Sequence, residues 1–308
     1  MTSLNLPRTP GFSRYAAVGI LLGVGSLFAA NHIAARIAFD DDAGLLLAIL
    51  FRSGLSLLVL LGLVFWQRQA LRLPAGVARW QLILGLLIAV QSLCLYSAVA
   101  RIPVALALLI GNTFPILLAL LTWALGGKPP TRRACLLMGL ILVGLIFVLD
   151  LPARMASGVE LGPQWVIGTA CAFGAACVFS VGLWITEHRL SVLPGAVRSM
   201  YTILVVFCSM LVAGVAGFVP GGMNLPASDA GWWALAALGT LYTLAFSILF
   251  VYVPRLDMAR NAPVMNIEPV TSLFLGWVIL EQVFNGRQLL GGAIVLGGIV
   301  LLAYSHKR

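Results

Sequence analysis

The sequence predicts an all-α integral membrane protein of ten transmembrane helices, arranged as two inverted five-helix repeats. Three observations predict it. Of 308 residues, 61% are hydrophobic and only 9% charged, whereas soluble domains carry roughly 25% charged residues. Long runs of Leu, Ile, Val, Ala and Gly recur between short polar breaks, unlike the alternating ~10-residue strands of a membrane barrel. Finally, residues 246–304 repeat 92–150 without a gap. A water-soluble fold has too little polar cover for so much apolar side chain, so lipid must be the solvent for most of it.

A spanning helix needs about 20 mainly apolar residues, and the chain supplies such runs in order. Residues 1–14 form a polar N-terminal segment with Arg8 and Arg14. The first span, 15–37, carries Asn31, His32 and a Gly19/Gly23 step suited to close helix packing. It resembles a signal peptide but has a counterpart in the second half, so it is expected to be retained. The second span, 43–66, follows Asp40, Asp41 and Asp42 and contains Arg52. The third, 80–100, carries Gln91 and Tyr96, and the fourth, 104–125, carries Asn112 and Pro115. The fifth is 133–150, closing a first repeat at 15–150. A polar link, 151–163, leads to the second repeat at 164–304. Its spans are 164–186 with Trp184, 197–219, 231–253 with Tyr242, 260–281 with Asn266, Glu268 and Pro269, and 288–304. Gly291, Gly292, Gly297 and Gly298 smooth the last, and a tail follows at 305–308.

Basic residues set the orientation, because cytoplasmic loops concentrate Lys and Arg. With a cytoplasmic N-terminus, inside segments hold Arg8, Arg14, Arg68, Arg72, Arg79, Lys128, Arg132, Arg133, Arg189, Arg198, Arg255, Arg260, Lys307 and Arg308. Outside segments hold only Arg36, Arg101, Arg154 and Arg287. Both termini are therefore expected in the cytoplasm, as a multi-pass protein of a bacterial-type inner membrane. The net charge of +9 reflects this bias rather than a nucleic-acid surface, since the cations are scattered singly.

The internal repeat is carried by residues that rarely coincide by chance. Val99, Arg101, Asn112, Pro115, Trp123, Arg133 and Gly144 meet Val253, Arg255, Asn266, Pro269, Trp277, Arg287 and Gly298. Gly19 and Gly25 meet Gly168 and Gly174 at a slightly different shift. Because each half has an odd number of spans, the second enters the membrane from the opposite side, an arrangement common in alternating-access carriers.

Several residues within the spans are candidates to line a transport path. Pro115 and Pro269 lack an N–H and should loosen their helices, exposing carbonyls beside Asn112 and Asn266 near mid-membrane. Glu268 is the acid placed inside a span, expected to be protonated, paired or facing water, with Arg255 or Arg260 as alternative partners. Arg52 always carries charge, and the reading favours a structural anchor near Asp40–Asp42 over binding an anionic substrate. Asn31, His32, Gln91, Tyr96, Trp184 and Tyr242 add amide and aromatic groups suited to a neutral or zwitterionic solute. Cys94, Cys135, Cys171, Cys177 and Cys208 lie in apolar runs without metal-ligand spacing and are read as packing residues. No nucleotide-binding loop or nucleophile–base motif is present, so neither a cofactor nor enzymatic chemistry is expected.

Phe51-Arg52, Asn112-Thr113-Phe114-Pro115, Asn266-Ile267-Glu268-Pro269 and the apolar run to Leu280-Glu281 resemble the drug/metabolite transporter superfamily, in its ten-helix form with two EamA-type domains. The resemblance covers residues 15–304. Two positions depart from it: a Gly-Glu ending of the ninth span reads Leu280-Glu281, and the fourth span ends Gly126-Gly127-Lys128 without an acid. The resemblance implies an exporter or exchanger of amino acids and other small metabolites, with a central cavity between the halves. Expected partners are a small-molecule substrate, membrane lipid and a coupling ion such as the proton, with the protein a monomer or homodimer and no nucleic acid bound. The alternatives are a channel or a non-transporting scaffold, and after them a membrane-embedded enzyme.

Overall fold

Local chemistry sets where the helices begin. The computed structural model describes residues 12–68, 71–74, 76–127, 129–149, 162–219, 221–252, 256, 264 and 266–305. Helix α1 (Arg14–Asp40) starts at Ser13, whose hydroxyl accepts from the Ala16 N–H at 3.3 Å. Gly44 and Gly76 precede α2 (Leu45–Trp66) and α3 (Val77–Val99). Pro103 precedes α4 (Val104–Gly111), and α5 (Phe114–Ala124) has Pro115 in its first turn. Thr131 caps α6 (Arg132–Val148), accepting from the Ala134 N–H at 3.2 Å. In the second half, Pro163 opens α7 (Pro163–Arg189) and Pro194 precedes α8 (Gly195–Val215). The helices α9 (Asp229–Tyr252), α10 (Ile267–Leu280) and α11 (Gly286–Ser305) complete the chain.

Among the described residues the secondary structure is entirely helical. Seven runs are long and apolar enough to cross a membrane: α1, α2, α3, the joined α4–α5 run, α7, α8 and α9. Shorter apolar helical runs follow at Ile267–Leu280 in α10 and Gly286–Leu301 in α11. Large apolar side chains cover the outside: Trp66, Trp233 and Leu136 are 78%, 77% and 76% exposed. That surface is suited to hydrocarbon and costly in water, so the chain is a multi-pass membrane protein.

Packing respects the repeat. Helix α1 packs on α9, and its counterpart α7 packs on α3. Likewise α1 lies on α10 while α7 lies on α4 and α5, and the α2–α9 contact is matched by α8–α3. Pairs that map onto themselves, α2–α8, α4–α10 and α6–α11, lie between these. The α6–α11 crossing shows why small residues were needed. A Cβ on Gly144 would stand 2.9 Å from Ile294 Cγ2, and one on Gly291 would stand 2.6 Å from the Gly144 carbonyl. Gly144 and Gly291 thus let two backbones touch, and Gly298, the repeat partner of Gly144, makes room for the Ile141 side chain.

One end of the bundle is closed by a seam between the halves. The α1–α2 turn meets the α8–α9 connection through Gly44 N–H to Asn224 O and Leu47 N–H to Gly222 O, both 2.9 Å. Ala227 N–H donates to Asp41 O at 3.0 Å. The Asp41 carboxylate accepts from Ser228 N–H and Ser228 Oγ, each at 2.9 Å. These bonds from Ser228 hold the Asp41 carboxyl below its ordinary value. Gly44 has no side chain because the Gly222 carbonyl occupies that space.

The sequence reading needs three corrections. The run 104–125 is not one helix but breaks at Asn112 and Thr113 into α4 and α5. Gly19 and Gly23 do not pack a neighbour, since a Cβ at either would meet open space. The Asp40 carboxylate pairs with Arg36 at 2.9 Å and Asp41 bonds Ser228, so neither serves Arg52. The 151–163 link, up to residue 161, and Arg255 and Arg260 lie outside the described residues.

Candidate functional site

A cavity of about 450 Å³ lies between the halves. Its walls come from α1–α5 and α7–α10, while α6 and α11 pack on each other outside it. At one end its lining on α1 and α2 stops at His32 and Arg52, short of the α1–α2 turn that forms the Asp41 seam. Towards the other end its lining runs to Thr186 in the last turn of α7 and Arg198 in the first turn of α8.

Arg52 is the most buried cation on the wall, at 6% exposure. Its Nη2 donates to Ser92 Oγ at 2.8 Å, and its guanidinium lies 4.2 Å from the Tyr242 ring centre and 4.9 Å from that of Tyr96. Its Nε has no hydrogen-bond partner. Among the described residues, no carboxylate lies within ion-pair distance of it. Inserting an Arg at mid-membrane costs about 3 kcal/mol on biological scales. Two desolvated cation–π contacts at about 1–2 kcal/mol each offset that cost without neutralising the charge.

Glu268 sits in the first turn of α10, where the helix dipole favours an anion. Its Oε1 lies 3.4 Å from His32 Nε2 on α1. His32 packs edge-on against Tyr96, with centroids 5.9 Å apart, and its Nδ1 is unpartnered. Ser26 Oγ and Thr271 Oγ1, 3.3 Å apart, tie the same two helices together. The pair thus bridges the first helix of one half and the ninth span.

The break between α4 and α5 supplies backbone to the wall. Pro115 cannot donate to the Gly111 carbonyl, and Gly111 and Asn112 both line the cavity. Asn112 Nδ2 bonds the Leu108 carbonyl at 2.9 Å, which leaves its side-chain oxygen for another partner. Thr113 turns away: it is buried, with Oγ1 on the Ile110 carbonyl at 2.7 Å. At the far end Gln81 Nε2 donates to Thr202 Oγ1 at 2.8 Å and to the Arg198 carbonyl at 3.1 Å.

Of the residues singled out in the sequence, His32, Gln91, Asn112, Tyr242, Glu268 and Arg52 line this cavity. Tyr96 and Asn31 stand behind it, with Tyr96 Oη donating to Asn31 Oδ1 at 3.3 Å. Trp184 instead stacks on His188, with centroids 4.7 Å apart. Pro115, Asn266 and Pro269 shape their helices beside the cavity without forming its wall. Sequence reasoning missed Ser92 and Thr202, together with Phe28, Phe114, Phe179 and Phe246. Arg198, expected as a cation near a cytoplasmic end, also lines the cavity.

Comparison with known proteins adds to this geometry. The description "EamA-like transporter family" matches residues 16–150 and again 167–304. The chain is 26% identical over 227 residues to "Uncharacterized transporter sll1319" of Synechocystis sp., covering 71% of this chain and 65% of that protein. It therefore spans just under two thirds of that relative's length. It is 25% identical over 238 residues to "Protein PecM" of Dickeya dadantii, covering 72% and 73% of the two chains. A protein of known crystal structure shares the fold, with a TM-score of 0.61 at 22% identity, covering 96% of this chain and 98% of that one.

Proposed function

This chain belongs to the EamA-like transporter family, and we propose that it is a secondary transporter, an exporter or exchanger of small metabolites such as amino acids or related compounds. The observation that carries the reading is the cavity itself: it lies between two halves whose helix contacts exchange under the repeat, and it stops beneath a seam at one end. Rocking one half about the other would break the Asp41 seam and close the Arg198 end, giving alternating access.

Ten spans cross a bacterial-type inner membrane in this reading, with both termini cytoplasmic. Contacts between connections support it. The segments around Asp41 and Ser228, both assigned outside by their charges, bond one another. Those around Leu71 and Tyr201, both assigned inside, meet through Tyr201 Oη and the Leu71 carbonyl at 2.7 Å. The cavity then faces the cytoplasm, and a proton carried by the His32–Glu268 pair couples its turnover.

Counterflow tests the carrier reading. Purified protein is placed in liposomes with a metabolite chosen by its ability to raise thermal stability. A carrier takes up labelled solute faster when unlabelled solute is inside. Uptake indifferent to the internal solute would identify a channel, and no uptake of any stabilising solute would leave a scaffold.

A further inference from the structure

The charges on the cavity wall do not cancel. Arg52 has no carboxylate within ion-pair distance among the described residues, and Asp40 and Asp41 are engaged elsewhere. Arg198 puts a second guanidinium on the same wall, with Nη1 at 3.5 Å from the Leu190 carbonyl. Against them stands, among the described residues of the wall, one carboxylate, Glu268, which is already turned to His32. The two guanidinium charges therefore exceed the one acid in every protonation state of the His32–Glu268 pair. A guanidinium also offers five donors in a fork that fits a carboxylate, and Arg52 donates to Ser92 while its Nε has no partner.

Beside this charge the wall is aromatic. Phe28 meets Tyr242 edge-on at 5.7 Å, and Tyr242 stacks on Phe246 at 5.7 Å. Across the cavity Phe114 meets Phe179 at 4.9 Å. All five rings line it, and its volume suits one small molecule.

Resting on the transporter reading, we propose that the cavity takes a small organic acid, whose carboxylate is held by Arg52 and whose flat apolar body lies among these rings. An amino group is not required, because among the described residues of the wall no free carboxylate waits to receive it. The site is selective for an anion over the amine or amide of the same shape.

Four probes of one body test this on the full chain in detergent: phenylacetate, phenylacetamide, phenethylamine and phenylalanine, each titrated while thermal unfolding is followed. Phenylacetate should raise the melting temperature, the amide and amine should not, and phenylalanine should do no better than phenylacetate. In Arg52→Gln the half-saturating phenylacetate concentration should rise about tenfold or more, and Arg52→Lys should recover part of the loss. Should Arg52→Gln fail to fold, the wild-type ranking and Arg52→Lys still decide. Equal shifts from acid and amide, a preference for the amine, or unchanged phenylacetate binding in a folded Arg52→Gln would overturn the proposal. Binding through Arg52 without counterflow would sink the carrier reading and leave the site standing. Counterflow of another solute with no phenylacetate shift would do the reverse.

Discussion

Glu268 and Asp41 show how differently two carboxylates behave in one chain. Glu268 pairs with His32 on the cavity wall, which Arg52, Arg198 and Tyr242 share. A proton moving on or off this pair changes the charge that the two halves share. Glu268→Gln should therefore flatten the pH dependence of uptake in liposomes, and His32→Gln should shift it. A normal rate with an unaltered pH profile in both variants would reduce the pair to a packing contact. Asp41 lies at the end of α1, with its carboxyl held below the ordinary 3.8 by Ser228. A depressed value means that the ionised form stabilises the fold above that pH, and the contribution fades as pH falls through the lower folded value. Asp41→Asn should thus melt below wild type above about pH 5, and the two curves should converge in stronger acid. The sequence marked Glu268 as exceptional but not its partner, because His32 lies far off in the chain and only packing brings it near. Arg52 was legible as a buried charge, whereas its tyrosine cage depends on where α3 and α9 fall.

At the level of elements, boundaries followed from residues that act locally. Prolines and glycines opened α2, α4, α7 and α8 near the expected positions, because their constraints need no tertiary help. The break inside the fourth span was harder to see. Its run from Val104 to Ala124 has a mean hydropathy of 2.3, so nothing in the polarity marks a stop. Pro115 announced a loosened helix, but only the structure assigned the neighbours: Asn112 and Phe114 face the cavity while Thr113 faces backbone. Cysteines placed singly at these positions, with the five native thiols replaced, make that difference measurable. Asn112→Cys and Phe114→Cys should react with a water-soluble thiol reagent and be slowed by a bound solute, while Thr113→Cys should react slowest. Equal reactivity at all three would mean that the α4–α5 break opens more widely than this packing allows.

Across the whole molecule, duplication was the most legible feature. Asn, Pro, Arg and Trp recurring at one offset are hard to explain without a shared ancestor fold, and the exchange of helix contacts between halves accords with them. Reporter fusions after residues 157 and 308 should read outside and inside respectively. An outside signal at 308 would overturn the ten-span topology. The family resemblance implied a central cavity, but its lining and volume were not legible, because volume is what remains after nine helical segments pack, and no local pattern encodes a remainder.

The seam at Asp41 has a mechanical meaning. It clasps the halves by backbone bonds, Gly44 to Asn224 and Leu47 to Gly222 among them. The counterpart region at the opposite end is held by side chains, such as Tyr201 on Leu71 and the Arg189 guanidinium 4.9 Å above Trp80. Among the described residues no backbone bond joins the α2–α3 connection to the α7–α8 turn there. A machine with a zip at one door and a magnet at the other does not idle midway. On the proposed alternating-access cycle it should rest with the zipped door shut, and the slow stroke should be the one that unfastens Gly44 from Asn224, whichever way the cargo travels.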